Sequence, residues 1–391
     1  MSTPSPLKQP VKAELVSAPT VVSAQPVQPA FVGIEAKAVP AEYEGFTPEN
    51  WGVLDSSQTL QIRQHVKLLP KQCCTCPPCV KQENTYSVYA GRTRDAQAEF
   101  LRVDEVSDDW NRCCCSPYHP LRLEVRQYIP IPGDQTNSDM SHLSDDFRSD
   151  WGRLTGNDRA NALRNLYSSQ PPLLSLVRDD GQRCCFKCPC KWLDTFVCFS
   201  CCMDGMHIYS GAVEDEPEKE KGRPWNLPAD KQLGSVIQPM YGGCCIPVLH
   251  LRDAGAADDS EPYAKVEGPC IFGGWSEMCC TFNFYTSRFN SKSKAADLAT
   301  IAKLKPQSMA GALTELASNS DFYSIDFKED AGLTVQQKIQ VLTAQLFADY
   351  MWFDGNTEKC EDRPEAVYCY CFYCSIIGKL IPCYIAIPKN N

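Results

Sequence analysis

Residues 333–353 read LTVQQKIQVLTAQLFADYMWF, the strongest helical pattern in the chain. Val335, Ile339, Leu342, Leu346, Tyr350 and Phe353 recur at spacings of four and three. On a 3.6-residue helix those positions align into one apolar stripe. Lys338, Gln345 and Asp349 are expected off the stripe. A membrane span needs about 20 predominantly apolar residues, and this segment is too polar for one. It is expected instead as a helix, over about 333–353, packed into or against a β structure.

The chain before it has a different period. Leu60–Val66, Tyr86–Tyr89, Leu121–Val125, His207–Tyr209, Ser235–Ile237, Pro247–Leu251 and Thr281–Phe284 are short segments, mostly alternating apolar and polar. Gly, Pro and Asp clusters separate them. Such spacing reads as a β-sandwich or a β-barrel. Two stretches interrupt the pattern. Residues 133–172 form a polar insert rich in Asp, Ser and Asn, with a short helix expected near Asn157–Leu166. Glu214–Lys221 is a mixed charge run, expected as a solvated loop.

The ends differ from the middle. Residues 1–50 hold eight prolines and no cysteine. No helix or strand period appears there, which predicts a disordered or polyproline-II tail. Its Pro26-Val27-Gln28-Pro29 has the PxxP spacing of an SH3-type ligand, with a solvated spacer as the competing reading. The barrel domain is expected over 51–359, followed by a Cys- and aromatic-rich apolar extension over 360–391. Within that extension, Ala366–Pro388 approaches a span in length and apolarity, but Gly378, Lys379 and Pro382 interrupt it. A span, a buried hairpin and a membrane-surface hairpin all stay open.

Composition narrows the function classes. The chain has 391 residues, 43% of them hydrophobic, and a formal net charge of −10. That balance argues against a nucleic-acid partner, which calls for a basic stripe. It also argues against attachment to anionic lipid by net charge. The 24 cysteines all follow Leu69, many of them adjacent, as in Cys113-Cys114-Cys115 and Cys279-Cys280. No secretory signal is read in Met1–Pro10, so a reducing compartment is expected, where a disulfide framework does not form. None of the five histidines falls in a catalytic motif, and there is neither a phosphate-binding glycine loop nor a GxSxG. An enzyme is not expected.

Seven local motifs, in order, resemble the phospholipid scramblase family, whose fold is the tubby-type barrel. They are Asn84-Thr85-Tyr86; Trp110–Pro117 with the following Pro120–Leu123; Cys184–Cys190 with its central Cys-Pro-Cys; Leu233–Gln238; Gly268-Pro269-Cys270; Ala302-Lys303-Leu304; and Ile325-Asp326-Phe327 leading into the helix. The resemblance runs from about residue 55 to 354. It implies a closed antiparallel β-barrel around the C-terminal helix, placed on the cytosolic face of a membrane. The implied activity is calcium-responsive, bidirectional phospholipid movement between leaflets. The insert, the apolar extension and the absence of PPxY repeats depart from the family. A tubby-like adaptor or scaffold without transport is the alternative, as is a metal-bearing structural subunit.

The resemblance implies S-palmitoylation at Cys184, Cys185, Cys188 and Cys190. A cluster suits that role, because one acyl chain holds a protein reversibly and two or more anchor it stably. Cys185, Cys188, Cys198 and Cys201 also form two CxxC knuckles with zinc or iron–sulfur spacing. Plain burial is the third reading, and Cys73, Cys74, Cys76 and Cys79 pose the same choice. The resemblance further implies a calcium segment over Asn319–Asp330, with Asn319, Asp321, Tyr323 and Asp330 at loop positions one, three, five and twelve. Ser324 stands where the calcium loop needs Gly. Tyr323, Ile325 and Phe327 alternate, so a barrel strand competes for the same residues.

Overall fold

The computed structural model describes residues 48–65, 83–91, 99–106, 121–128, 170–178, 204–214, 227–256, 260–291, 296–308, 321–353, 360–376 and 379–389. The PxxP tail, most of the polar insert, the Trp110–Pro117 motif and every cysteine from Cys73 to Cys202 lie outside these residues.

Twelve strands close into an antiparallel barrel. They are β1 (Thr59–His65), β2 (Thr85–Ala90), β3 (Glu99–Val106), β4 (Arg122–Gln127), β5 (Leu174–Arg178), β6 (Gly205–Ser210), β7 (Gln232–Ile237), β8 (Val248–Asp253), β9 (Ala264–Glu267), β11 (Phe282–Arg288), β12 (Ala299–Lys303) and β13 (Phe322–Phe327). Each neighbours its predecessor in the chain, except that β10 (Ile271–Phe272) is left out of the wall. Closure comes from β1 pairing with β13, with Leu60 opposite Ile325 and Ile62 opposite Tyr323. A closed barrel removes sheet edges within its wall.

The period-2 pattern assigns the faces. Leu60, Ile62, Val88, Leu101, Val103, Leu123, Val125, Leu249, Leu251, Phe284 and Ile325 are all buried in one core cluster. Alternate positions carry charge, as in Arg102–Asp104 at 3.1 Å on β3 and Lys265–Glu267 at 3.0 Å on β9. The inward positions of these strands are therefore mainly apolar, and the outward positions of β3 and β9 carry charge. Among the described residues no helix is long and apolar enough to cross a membrane.

Helix α2 (Val335–Ala348) fills the interior. It begins with a reciprocal capping box, in which the Thr334 hydroxyl accepts from the Gln337 amide and the Gln337 side chain accepts from the Thr334 amide. The apolar stripe is core as expected: Ile339, Leu342, Leu346 and Tyr350 are buried. The polar positions differ from expectation, since Lys338, Gln345 and Asp349 are buried too. A helix inside a barrel has no solvent side, so its polar groups must find partners in the wall.

Lys338 does so by donating to the carbonyls of Leu54 and Ser57, each at 3.0 Å, and to that of Asp55. These carbonyls close helix α1 (Pro48–Ser56), whose Trp51 and Leu54 are buried. A cation there satisfies the carbonyls that a helix C-terminus leaves unpaired. Helix α1 thus begins at Pro48, inside the stretch expected as tail. On the opposite side, Gln340 donates to Arg252 O at 3.2 Å. This approach requires Gly234, whose φ is +153° and whose added Cβ would stand 2.2 Å from Gln340 Nε2.

After Ala348 the helix widens into one π-turn, Asp349–Phe353. The wider turn brings Trp352 onto Phe284, with ring centroids 5.4 Å apart and planes within 3°. Strands β14 (Cys360–Asp362), β15 (Ala366–Ile376) and β16 (Lys379–Pro388) then form a second sheet with β10. The extension is thereby paired to a strand from the middle of the barrel sequence. Phe272 of β10, opposite Tyr373, enters the main core.

Candidate functional site

Two features stand apart from ordinary core and surface. The first is a polar ring inside the barrel, at the end where α2 runs out. Lys303, ending β12, donates to Glu277 at 2.9 Å and to Asp321 at 2.8 Å. Its ammonium also lies 4.1 Å from the Phe353 ring centroid. Tyr350 donates to Glu105 at 2.7 Å, Tyr86 donates to Asp349 at 2.6 Å, and Tyr323 also donates to Asp349. Arg178 meets Asp204 through a forked pair whose Nε bond is 3.0 Å. Every one of these side chains is buried.

Burial works against the Lys303 ammonium, but the Asp321 and Glu277 carboxylates outweigh it and hold the group above the usual lysine range. Burial, with Asp321 and Asp349 nearby, pushes the Tyr323 phenol well up. The ring is a charge-paired network in which the hydroxyls serve as donors. Such networks are costly to break because each member loses water on burial.

Two residues of the expected calcium segment fall here, and they do not form a loop. Asp321 and Tyr323 are brought together, with Tyr323 Oη 3.3 Å from Asp321. Asp330 is exposed on the 3₁₀ turn Glu329–Ala331. The six residues of β13 separate it from Asp321, about 20 Å at strand rise. The competing strand reading describes Phe322–Phe327, and Lys303 holds the cation position beside Asp321. Asn319 lies outside the described residues, as do the expected lipidation and zinc or iron–sulfur cysteines. Among the described residues no group of three or more His, Cys, Asp or Glu side chains is arranged to hold a metal ion.

The second feature is the outer face of the C-terminal sheet. Ala366, Tyr370, Tyr373 and Ser375 of β15 are buried toward the barrel. The buried parity changes from even to odd because the register shifts between Tyr370 and Phe372, which leaves Cys371 as a bulge. Residues directly opposite each other share a face. The pairs Val367–Ile387, Cys369–Ile385, Phe372–Cys383 and Cys374–Ile381 therefore point away from the barrel. Ile271 of β10 lies opposite Cys374, and Cys360 of β14 lies opposite Cys369, so both join this face. None of these side chains carries a formal charge as a thiol or a hydrocarbon.

The exposures are large for such residues: Ile271 46%, Ile376 41%, Ile381 45%, Ile385 61% and Ile387 53%. Among the described residues nine large hydrophobics are exposed. Only Val106 and Tyr285 lie elsewhere, and the other seven lie on this sheet or on the adjoining turn with Trp275. Tyr384, opposite Tyr370, belongs to the other face, and the five isoleucines grouped on the outer face are the kind of apolar surface that marks an interaction site. Burial and the Cys383 thiol push the Cys374 thiol up, and hydrogen bonding to Cys360 raises that of Cys369. Both thiols stay neutral near pH 7; by register Asp362 stands opposite Val367 and Lys379 opposite Ile376.

Sequence reasoning saw the apolar run but not its two faces. The signal was present: a run apolar at both parities is what a strand covered on both sides shows. No family model, no curated protein and no solved structure matches this chain.

Proposed function

We propose that this protein is a scramblase-type, membrane-associated barrel, and that it meets the bilayer through the outer face of its C-terminal sheet. The exposed isoleucine face carries the reading. Full burial of an Ile side chain contributes about 1.5–3 kcal/mol, and these five are already about half covered, so together they supply roughly 4–7 kcal/mol. That equals about one myristoyl chain, which binds membranes reversibly, so stable anchoring requires a second attachment such as acylation of Cys184–Cys190. Contact through this face is mainly apolar and so depends only weakly on salt.

Calcium-responsive movement of phospholipid between leaflets is the activity proposed with this placement. Because α2 fills the barrel, the lipid path in this reading runs over the outside of the protein. The same filled interior favours a second reading, a tubby-like adaptor that docks on lipid and transports nothing.

The test uses phosphatidylcholine vesicles carrying a quenchable lipid reporter, with and without calcium. Expected results are co-sedimentation at both low and high salt and a faster loss of inner-leaflet reporter. Ile381→Asp with Ile385→Asp, both at exposed positions, should abolish co-sedimentation while leaving the melting temperature unchanged. Binding without reporter exchange would select the adaptor. Equal binding by wild type and the double variant would refute the docking face.

A further inference from the structure

We infer that Cys360 and Cys369 form an oxidisable dithiol site whose reactant is a low-molecular-weight disulfide of the glutathione class. The two residues are direct cross-strand partners of β14 and β15, and their sulfurs lie 3.2 Å apart. Directly opposed residues of an antiparallel pair have Cα atoms about 4.5–5.5 Å apart, within the span that a disulfide bridges. Cys374 and Cys383 also interact across β15 and β16, but they are not register partners, since Cys374 lies opposite Ile381 and Cys383 opposite Phe372. Cys244–Cys245 at 3.8 Å and Cys279–Cys280 at 3.5 Å are sequence neighbours, whose bridging would force a small strained ring.

The local structure holds the pair in register. Arg363 N donates to Ala366 O at 3.0 Å across the turn joining β14 to β15. On the inner side Glu361 accepts from Arg363 at 2.9 Å and from the Tyr370 hydroxyl. The two sulfurs are thus kept facing each other by bonds that do not involve them. Access is asymmetric, because Cys360 is exposed and Cys369 is half-buried.

The chemistry follows from that asymmetry. The Cys360 thiolate attacks one sulfur of the small disulfide, forming a mixed disulfide and releasing the first small thiol. Cys369, already in contact, gives up its proton and attacks the Cys360 sulfur, which releases the second small thiol. One disulfide is reduced to two thiols, and the two protein thiols become one disulfide. Bound sulfur exchanges faster when the resolving thiol is adjacent. The product staples β14 to β15 and removes two thiols from the apolar face. The site stands whether a bilayer or a protein covers that face.

The experiment treats the full chain with excess glutathione disulfide, blocks remaining thiols, and maps peptides by mass. The expected first product is a Cys360–Cys369 bridge, with loss of two hydrogens and no retained glutathione. Cys369→Ser should trap the mixed disulfide on Cys360, and Cys360→Ser should leave Cys369 unmodified over the same interval. Retention of glutathione on Cys360 in the wild type would overturn the proposal. So would a first bridge between any other pair, or the absence of a 360–369 bridge.

Discussion

Replacing Lys303 by Met keeps the chain's length and its contact with Phe353 but removes the charge held by Glu277 and Asp321. Both carboxylates then stay buried without their cation. Removing one partner of a buried ion pair costs about 3–5 kcal/mol. Domains are stable by only about 5–15 kcal/mol, so the variant loses a large share of its stability. At roughly 2–4 °C per kcal/mol for a domain of this size, the melting temperature should fall by about 6–20 °C at pH 7. The sign of the pH dependence follows from the direction of the shift. A lysine held above its unfolded pKa contributes its full stabilisation below about pH 10, so the wild type has all of it at pH 7. In the variant, protonation relieves the stranded carboxylates, so the deficit should shrink from pH 7 to pH 5. Lys303→Met combined with Glu277→Gln and Asp321→Asn should recover at least half of the loss, since a neutral set avoids the stranded charge. Thermal melts by circular dichroism at the two pH values suffice. A single-variant melting temperature within about 2 °C of wild type at pH 7 would refute the network's role, as would a deficit indifferent to pH.

Two further outcomes test the interior and the wall. Leu342→Ala, at a fully enclosed position of α2, should cost about 2–5 kcal/mol in denaturant melts, whereas Gln337→Asp, half-buried in the capping box, should cost less than about 1 kcal/mol; equal losses would mean that the stripe is not core. Burial, with Arg63 and Arg102 nearby and Asp104 opposing, lowers His65 to about 4, and its ring lies 2.8 Å from Ser87 Oγ. The fold therefore prefers neutral His65, so its contribution is complete above about pH 6.5 and lost as pH falls toward 4, by about 3 kcal/mol in all. His65→Gln should flatten that segment of the stability–pH curve, measured by urea titration.

Several elements were legible because their signals are local. The helix over 333–353 declared itself by its stripe, whereas the capping box of Thr334 and Gln337 went unread. Strands β1, β2, β4, β6, β7, β8 and β11 alternated visibly. Strands β3, β5, β9 and β12 passed without a period-2 reading, although β3 alternates well, and β12 entered through the resemblance at Ala302–Leu304. The two-residue β10 is too short for any period to show. The calcium reading of Asn319–Asp330 placed Asp321 and Asp330 in one loop, whereas a strand holds them at its two ends. A run of acids looks the same in a loop and around a strand until the neighbouring strand supplies Lys303.

The periods are local properties of the chain: short two-residue alternation along the wall, a 3.6-residue stripe before the extension, and apolar residues at both parities from Ala366 to Pro388. Side-chain direction follows from backbone geometry within a few residues, so a period can be read without knowing what lies opposite. Partners were decided only by the tertiary structure. Lys338 and Asp349 look solvent-facing on a helical wheel, yet a closed barrel leaves that helix no solvent. The Cys371 bulge exchanges the two faces of β15 partway along, which sets the side on which Cys369 and Cys374 lie. Lys303 finds Asp321 across adjacent strands and Tyr86 finds Asp349 across 263 positions of chain. Such pairings depend on barrel closure, a property of all twelve strands together that no local window contains.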